Sequence, residues 1–446
     1  MTLAPRGPAG TPGTPEPHPG RRPAHLVART VRIEDPGPLL ALLPEPSPLA
    51  PFVPSPPVLS WVRRGEGVVG WGEVARITVT GPDRFTRARE AWQEITRHAA
   101  VRDEVELPGT GPIAFGTFSF AGGDRGTGTL VVPKIVIGRR EGTWWVTTIG
   151  AGAVLPSTEA PHAAPRPATP GVVTYADGAL TPAAWEHAVA VAIGRIGAGE
   201  VDKVVLARDV EVRTERPVDP RHLLGRLAER YPRCWTFSVD GLVGATPELL
   251  VRCERGLVTS RVLAGTIQRT GDDEHDLALA ASLARSSKDL EEHEYAVRSV
   301  ADALAPSCQS MNVPETPFVL HLANVMHLAT DVTGVLSVES GSSLDLAAAL
   351  HPYAAVCGTP TDAAGRVIDE VEGLDRARYA GPVGWLDATG DGEWGIALRC
   401  AELDPDDHHR LRLFAGCGIV AGSDPQAELA ESVAKLIPMR EALASD

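Results

Sequence analysis

No run of about 18 apolar residues, the length that lets a helix cross a bilayer, occurs anywhere in the 446-residue chain. The opening stretch MTLAPRGPAGTPGTPEPHPGRRPAH also lacks the apolar centre of a secretory signal. These absences give the expectation of a cytoplasmic protein with no membrane partner. Cysteines are few and scattered: Cys234, Cys253, Cys308, Cys357, Cys400 and Cys417 form no Cys-x-x-Cys pair and no zinc-like spacing. They fit reduced, structural thiols. Positive charge is in deficit, with 42 Lys and Arg against 57 Asp and Glu for a formal net charge of −15. A surface of that sign repels nucleic acid. It repels small anions too, so an anionic substrate needs a locally positive pocket of basic side chains, backbone N–H groups or a metal.

What is present has the composition of a globular protein, 43% hydrophobic and 22% charged. Residues 1–25, rich in Pro and Gly, are expected to form a disordered tail. Residues 26–170 form a first half in which short β-type segments alternate with turns. VVGWGEVARITVTG (68–81), GTLVVPKIVIGRR (128–140) and TWWVTTIG (143–150) predict strands, and DRFTRAREAWQEITRHA (83–99) an amphipathic helix. The half closes on the Pro-rich segment LPSTEAPHAAPRPATP (155–170). In residues 171–446, Thr181 caps a helix with Pro182 in its first turn, and VDKVVLARDVEV (201–212) follows as a strand. Further strands are predicted at 234–239, 248–253 and 257–266, one long helix over about 274–304, and a meander near the end. Strands and helices come in mixed order without a βαβ repeat, so the fold class is α+β.

AELAESVAKL (427–436) places Glu428, Glu431 and Lys435 within an arc of roughly 60° on a helix turning ~100° per residue. One explanation is a solvated face with a Glu431–Lys435 ion pair worth about 0.3–0.5 kcal/mol. SSKDLEEHEYAV (286–297) repeats the pattern with Asp289 and Glu292. Two helices that each present such a pair could share a hard divalent cation such as Mg²⁺, which takes carboxylate and water oxygens. They could equally be two unrelated acidic faces.

Other polar residues carry two explanations each. Lys203 in DKVVLAR is either a guard on an edge strand or a buried general base, which must be a neutral amine. Glu248 in GATPELLV is a surface turn residue or an acid overlooking a cleft. Gly416 and Gly418, in AGCGIVAGSDP, let backbone N–H groups approach an anion or let strands pack closely. His327 in VMHLAT and Arg399 in IALRCAEL interrupt strand-like apolar runs, and a buried arginine needs an anionic partner, internal or substrate.

With these residues in order, the chain resembles the chorismate-utilising enzymes, most closely the isochorismate synthases. The matching motifs are KVVLAR, ATPELLV, LAGT, SSKDLEEHEYAV, VMHLAT, LHPYAAVCGTP, YAGPVGWLD, IALRCAEL and FAGCGIVAGSDPQAELAESVAKL. They run collinearly over about residues 180–440, whereas the first 170 residues match loosely. The resemblance implies one large α+β fold of the anthranilate synthase component I type, with two layered, mostly antiparallel sheets flanked by helices. It implies Mg²⁺-dependent conversion of chorismate to isochorismate, in which water attacks C2 of the ring as the C4 hydroxyl leaves. Lys203 is then similar to the general base that activates water and Glu248 to the general acid that protonates the leaving hydroxyl. Glu292 and Glu431 correspond to direct Mg²⁺ ligands, with Asp289 and Glu428 reaching the metal through water. Tyr379, Arg399, Lys435 and the backbone at Gly416 and Gly418 correspond to the carboxylate-binding set. Gly265, Thr266, His327 and Ala355 complete the implied substrate pocket.

Differences within the same superfamily sharpen the expectation. Aminodeoxychorismate synthases that use a covalent lysine carry it where this chain has Ala264. Anthranilate synthases show PIAGT and a glutamine amidotransferase partner, whereas RVL precedes Ala264 here, so no such partner is expected. Salicylate synthases tend to have threonine in place of Ala355. Tyr353 and Ala354 stand where the family often shows Thr-Pro, and Cys417 where alanine is common, which bears on pocket shape. A salicylate synthase or another, amino-transferring chorismate-utilising enzyme, and a non-catalytic chorismate-binding protein, are the alternatives.

Overall fold

A computed structural model describes residues 25–45, 57–152, 154, 157, 161–322, 325–337 and 341–444, without the side chains of Lys288 and Glu292. The expected disordered tail therefore lies, except for His25, outside the described residues. So does most of the 155–160 part of the Pro-rich segment; residues 161–170 carry neither helix nor strand.

Among the described residues the strands form two sheets, one of thirteen strands and one of ten. Every pairing is antiparallel except that of Leu26–Ile33 with Ala100–Asp103. The two layers face each other across a core that includes Trp61, Phe115, Phe118, Trp145, Phe237 and Trp394, each at most 1% exposed. Each large side chain so buried removes apolar surface worth about 1.5–3 kcal/mol. Residues 26–170 and 171–446 interleave in this core and in both sheets, as where Val58–Arg63 pairs with Trp235–Val239. The α+β class and the two mostly antiparallel layers expected from the sequence are present.

The chain passes between the layers at two corners. Glu66–Trp71 lies in the large sheet and Ala75–Thr80 in the small one; Thr127–Val132 returns beside them to Ile135–Arg140. This divides two segments that read as single strands, 68–81 and 128–140. The second breaks at Pro133, which has no N–H for a ladder. The other corner is built alike. Leu242–Thr246 of the large sheet leads through Pro247 and Glu248 into Leu249–Glu254 of the small sheet, and Gly392–Ile396 returns through Ala397, Leu398 and Arg399 to Cys400–Leu403. Cross-links hold the bend, from the Ala245 N–H to the Arg399 carbonyl at 3.1 Å and from the Ile396 N–H to the Glu248 carbonyl at 3.2 Å.

The remaining differences have local causes. The predicted 274–304 helix is two helices, Asp273–Leu283 and Ser287–Leu304, because Ser286 caps the second by accepting from the Asp289 N–H. Arg399 is not inside a strand; it sits in the corner at φ +49°. Gly416 and Gly418 are strand residues, since Arg410–Ile419 pairs with Lys203–Thr214 through Ile419. Lys203–Thr214 is no edge strand, with Arg410–Ile419 along one side and Val173–Asp177 and Gly358–Thr359 on the other.

Candidate active site

A cavity of about 250 Å³ opens where the corner at Glu248 meets the ends of the Lys203 strand, the Leu257–Gln268 strand and the last helix. Lys203, Glu248, Gly265, Thr266, Asp289, His327, Ala355, Tyr379, Arg399, Gly416, Gly418, Glu428, Glu431 and Lys435 all line it. Residues that are more than 200 positions apart in sequence thus converge on one space. Glu292 is on the Asp289 helix, and its side chain lies outside the described residues.

Glu248 is the most strongly perturbed acid of the cavity. It is 5% exposed, and its Oε1 has no hydrogen-bond partner. Burial pushes its carboxyl up from 4.5 to about 8, although Lys203, Arg399 and Lys435 pull the other way. A carboxyl in that state carries a proton near neutrality and can donate it. The corner imposes this burial, because Glu248 follows Pro247 at the point where the chain leaves one sheet for the other.

His327 is the second buried polar group. Its Nδ1 lies 3.0 Å from Thr266 Oγ1, and Nε2 has no partner. Burial first, then Arg399 and Lys435, push the imidazole down to about 3, so it is neutral and offers the cavity a hydrogen bond without a charge. The facing strand bulges between Ala264 and Thr266, with Gly265 at φ +74°. A Cβ at Gly265 would lie 3.1 Å from Asp289 Cβ. The bulge turns Thr266 toward His327 and makes room for the acidic helix.

On the opposite wall the helix Pro425–Leu443 starts at Asp424, whose side chain accepts from the Gln426 and Ala427 N–H groups. Lys435 Nζ is 2.6 Å from Glu431 Oε1 and donates to the Gly416 carbonyl at 2.9 Å. The i,i+4 ion pair allowed by spacing is therefore formed, and Lys435 reaches the cavity as Glu431's partner rather than as a cation turned wholly toward a ligand. Burial pushes the Glu431 carboxyl up, but Lys435, Arg399 and Lys203 together draw it down further, and it stays ionised. Cys417 Sγ and the Glu428 and Glu431 carboxylates approach one another within 4.8 Å. Burial pushes the thiol up to about 12, and the two carboxylates supply the oxygen donors that a hard cation takes.

Tyr379 stacks on Phe414 with centroids 5.2 Å apart and planes at 9°. Its hydroxyl would be 3.0 Å from a Cβ at Gly416, and the Leu206 carbonyl 3.1 Å, so close strand packing accounts for that glycine. One Arg399 Nη donates to the Lys435 carbonyl at 3.5 Å.

One charged lining residue escapes the motifs. Arg376 lines the cavity and pairs with Glu372 behind it at 2.6 Å, both almost fully buried. Their Glu-x-x-x-Arg spacing just before YAGPVG was the available signal, but it is as common on exposed helices.

The chain belongs to the chorismate binding enzyme family, whose pattern it matches over residues 59–444. It is 41% identical over 276 residues to the isochorismate synthase DhbC of Bacillus subtilis, a match covering 59% of this chain and 69% of that protein. It is 33% identical to the salicylate biosynthesis isochorismate synthase of Pseudomonas aeruginosa, across 87% of this chain and 85% of the relative. The solved structure of MenF, the menaquinone-specific isochorismate synthase of Escherichia coli, superposes with a TM-score of 0.75 at 25% identity, covering 96% of this chain and 97% of that one.

Proposed function

We propose that the chain is an isochorismate synthase that converts chorismate to isochorismate, with Lys203 as general base and Glu248 as general acid. The buried Glu248 carboxyl, with Oε1 left without a hydrogen-bond partner, carries this assignment, because loss of the C4 hydroxyl needs a proton donor protonated near neutrality. Lys203, from the end of its strand, takes the proton of the attacking water. Arg399, with Lys435 beside its Glu431 partner, gives the cavity the local positive charge that an anionic substrate of a protein of net charge −15 requires, and the Tyr379 hydroxyl adds a neutral donor. His327 and Thr266, beside the Gly265 bulge, form the uncharged wall, and Ala355 leaves space for the ring.

Mg²⁺ is part of the proposal. Glu431 and Glu292 would hold it directly, with Glu428 and Asp289 through water, and when bound it would neutralise the ring carboxylate. Asp289, Glu428 and Glu431 line the same cavity from two helices, which fits an oxygen-bound cation. We place the protein in the cytoplasm, acting without an amidotransferase; among the described residues no helix is long and apolar enough to cross a membrane.

Incubation with chorismate and Mg²⁺, followed by chromatography and mass analysis, tests the assignment. Isochorismate is expected at a rate independent of ammonia. Salicylate with pyruvate would transfer the chain to the lyase relatives, and calorimetric binding without turnover would make it a binding protein.

A further inference from the structure

The strand that carries Lys203 has a gap along one edge. Gly358–Thr359 pairs with it only at Lys203 and Val204, and Val173–Asp177 resumes the ladder at Val210. Between these points the backbone groups of a strand in the middle of a sheet would lack partners, at a cost of about 1–3 kcal/mol for each buried group left unpaired. Other groups fill the gap. The Cys357 carbonyl accepts from the Val205 N–H at 2.8 Å, and one Arg376 Nη donates to the Val205 carbonyl at 2.6 Å. Glu372 Oε2 accepts from the Ala207 N–H at 2.7 Å, and the Trp185 indole donates to the Ala207 carbonyl at 3.0 Å.

Arg376 does more than fill. Its other Nη donates to the Val356 carbonyl at 3.0 Å, next to Ala355. Nε and an Nη grip the two Glu372 oxygens at 2.7 and 2.6 Å, and the guanidinium lies 4.1 Å over the Phe120 ring. One planar, doubly anchored cation therefore spans the strand of Lys203 and the turn of Ala355, two walls of the cavity. A lysine could reach one of those carbonyls but not hold both at a fixed angle.

We propose that Arg376, oriented by Glu372, is a positioning residue for the reaction: it fixes the separation between the Lys203 strand and the Ala355 turn, and so places the base against the ring. This rests on Lys203 as base, and Lys203→Ala is assayed in parallel to separate the two ideas. If Lys203→Ala keeps a normal rate, the base assignment falls whatever Arg376 does. With that assignment intact, Arg376→Lys and the apolar pair Glu372→Leu/Arg376→Met are expected to lower kcat at least tenfold while KM and calorimetric chorismate affinity stay within threefold. Trp185→Phe, which keeps an aromatic ring, gives up part of the buried indole volume and removes one donor from the same gap, is expected to lower kcat about threefold at unchanged KM. Thermal melting identifies the variants that fold. Folded variants with wild-type kcat overturn the proposal. A loss confined to KM overturns it as well, because it would make Arg376 a binding group.

Discussion

Glu248 joins activity and stability in one side chain. Its folded carboxyl titrates near 8 instead of 4.5, so the native state holds an extra proton across that window. The sign follows from linkage: the stability contributed by the protonated form is fully present below pH 4.5 and lost as pH rises through 8. The gap corresponds to on the order of 3–5 kcal/mol. Two outcomes are expected. The kcat/KM profile falls above about pH 8 as the acid ionises, and Glu248→Gln removes turnover while melting higher than wild type at pH 9, by roughly a few degrees, and equal to it near pH 4. A variant that melts lower at pH 9 would contradict the buried-acid account. Lys435 shows how a residue can satisfy two readings at once. The ion pair with Glu431 that spacing allowed is there, yet it stands in the cavity wall and keeps Glu431 ionised.

Helices and strands position these groups through local devices of unequal visibility. The cap at Thr181, and the period of the helix behind it, were readable because a hydroxyl before a proline states where a helix begins; the like cap at Asp424 became plain only in the structure. The bulge at Gly265 was not readable, since its sequence, LAGT, fits an unbroken strand. It can be tested directly. Gly265→Ala places a side chain at φ +74° and against Asp289, and is expected to cost ~1–2 kcal/mol of stability. It should also lower kcat/KM about tenfold, measured by denaturant unfolding and steady-state kinetics, because Thr266 and Asp289 both move. The division of the 68–81 and 128–140 segments was hidden for a related reason: β-branched residues run through both, and which sheet a strand joins is decided by partners far away in sequence.

Across the whole molecule, the fifteen residues assigned to the site from the sequence include fourteen that line one cavity, and the fifteenth, Glu292, has no described side chain. The resemblance carried by the motifs reached that far, whereas residue chemistry alone left two explanations for most of these positions. What they did not carry is how the walls are held, since Glu372, Arg376 and Trp185 touch backbone rather than display a motif. The acidic cavity wall also has a consequence for the intact enzyme. Chelation with EDTA is expected to lower turnover at least roughly tenfold, and added Mg²⁺ to restore it; an undiminished rate in chelator would count against the metal assignment.

The corner that carries Glu248 and Arg399 bears on how the protein acquires its activity. Its two strands meet from positions about 150 residues apart, at Ala245 and Arg399, and contacts of such long range form late and slowly in folding. Neither the acid nor the arginine can be in place before both sheets have closed on the corner. During refolding, turnover should therefore return with the last tryptophan burial and not ahead of it, so that partly folded chains are silent toward substrate.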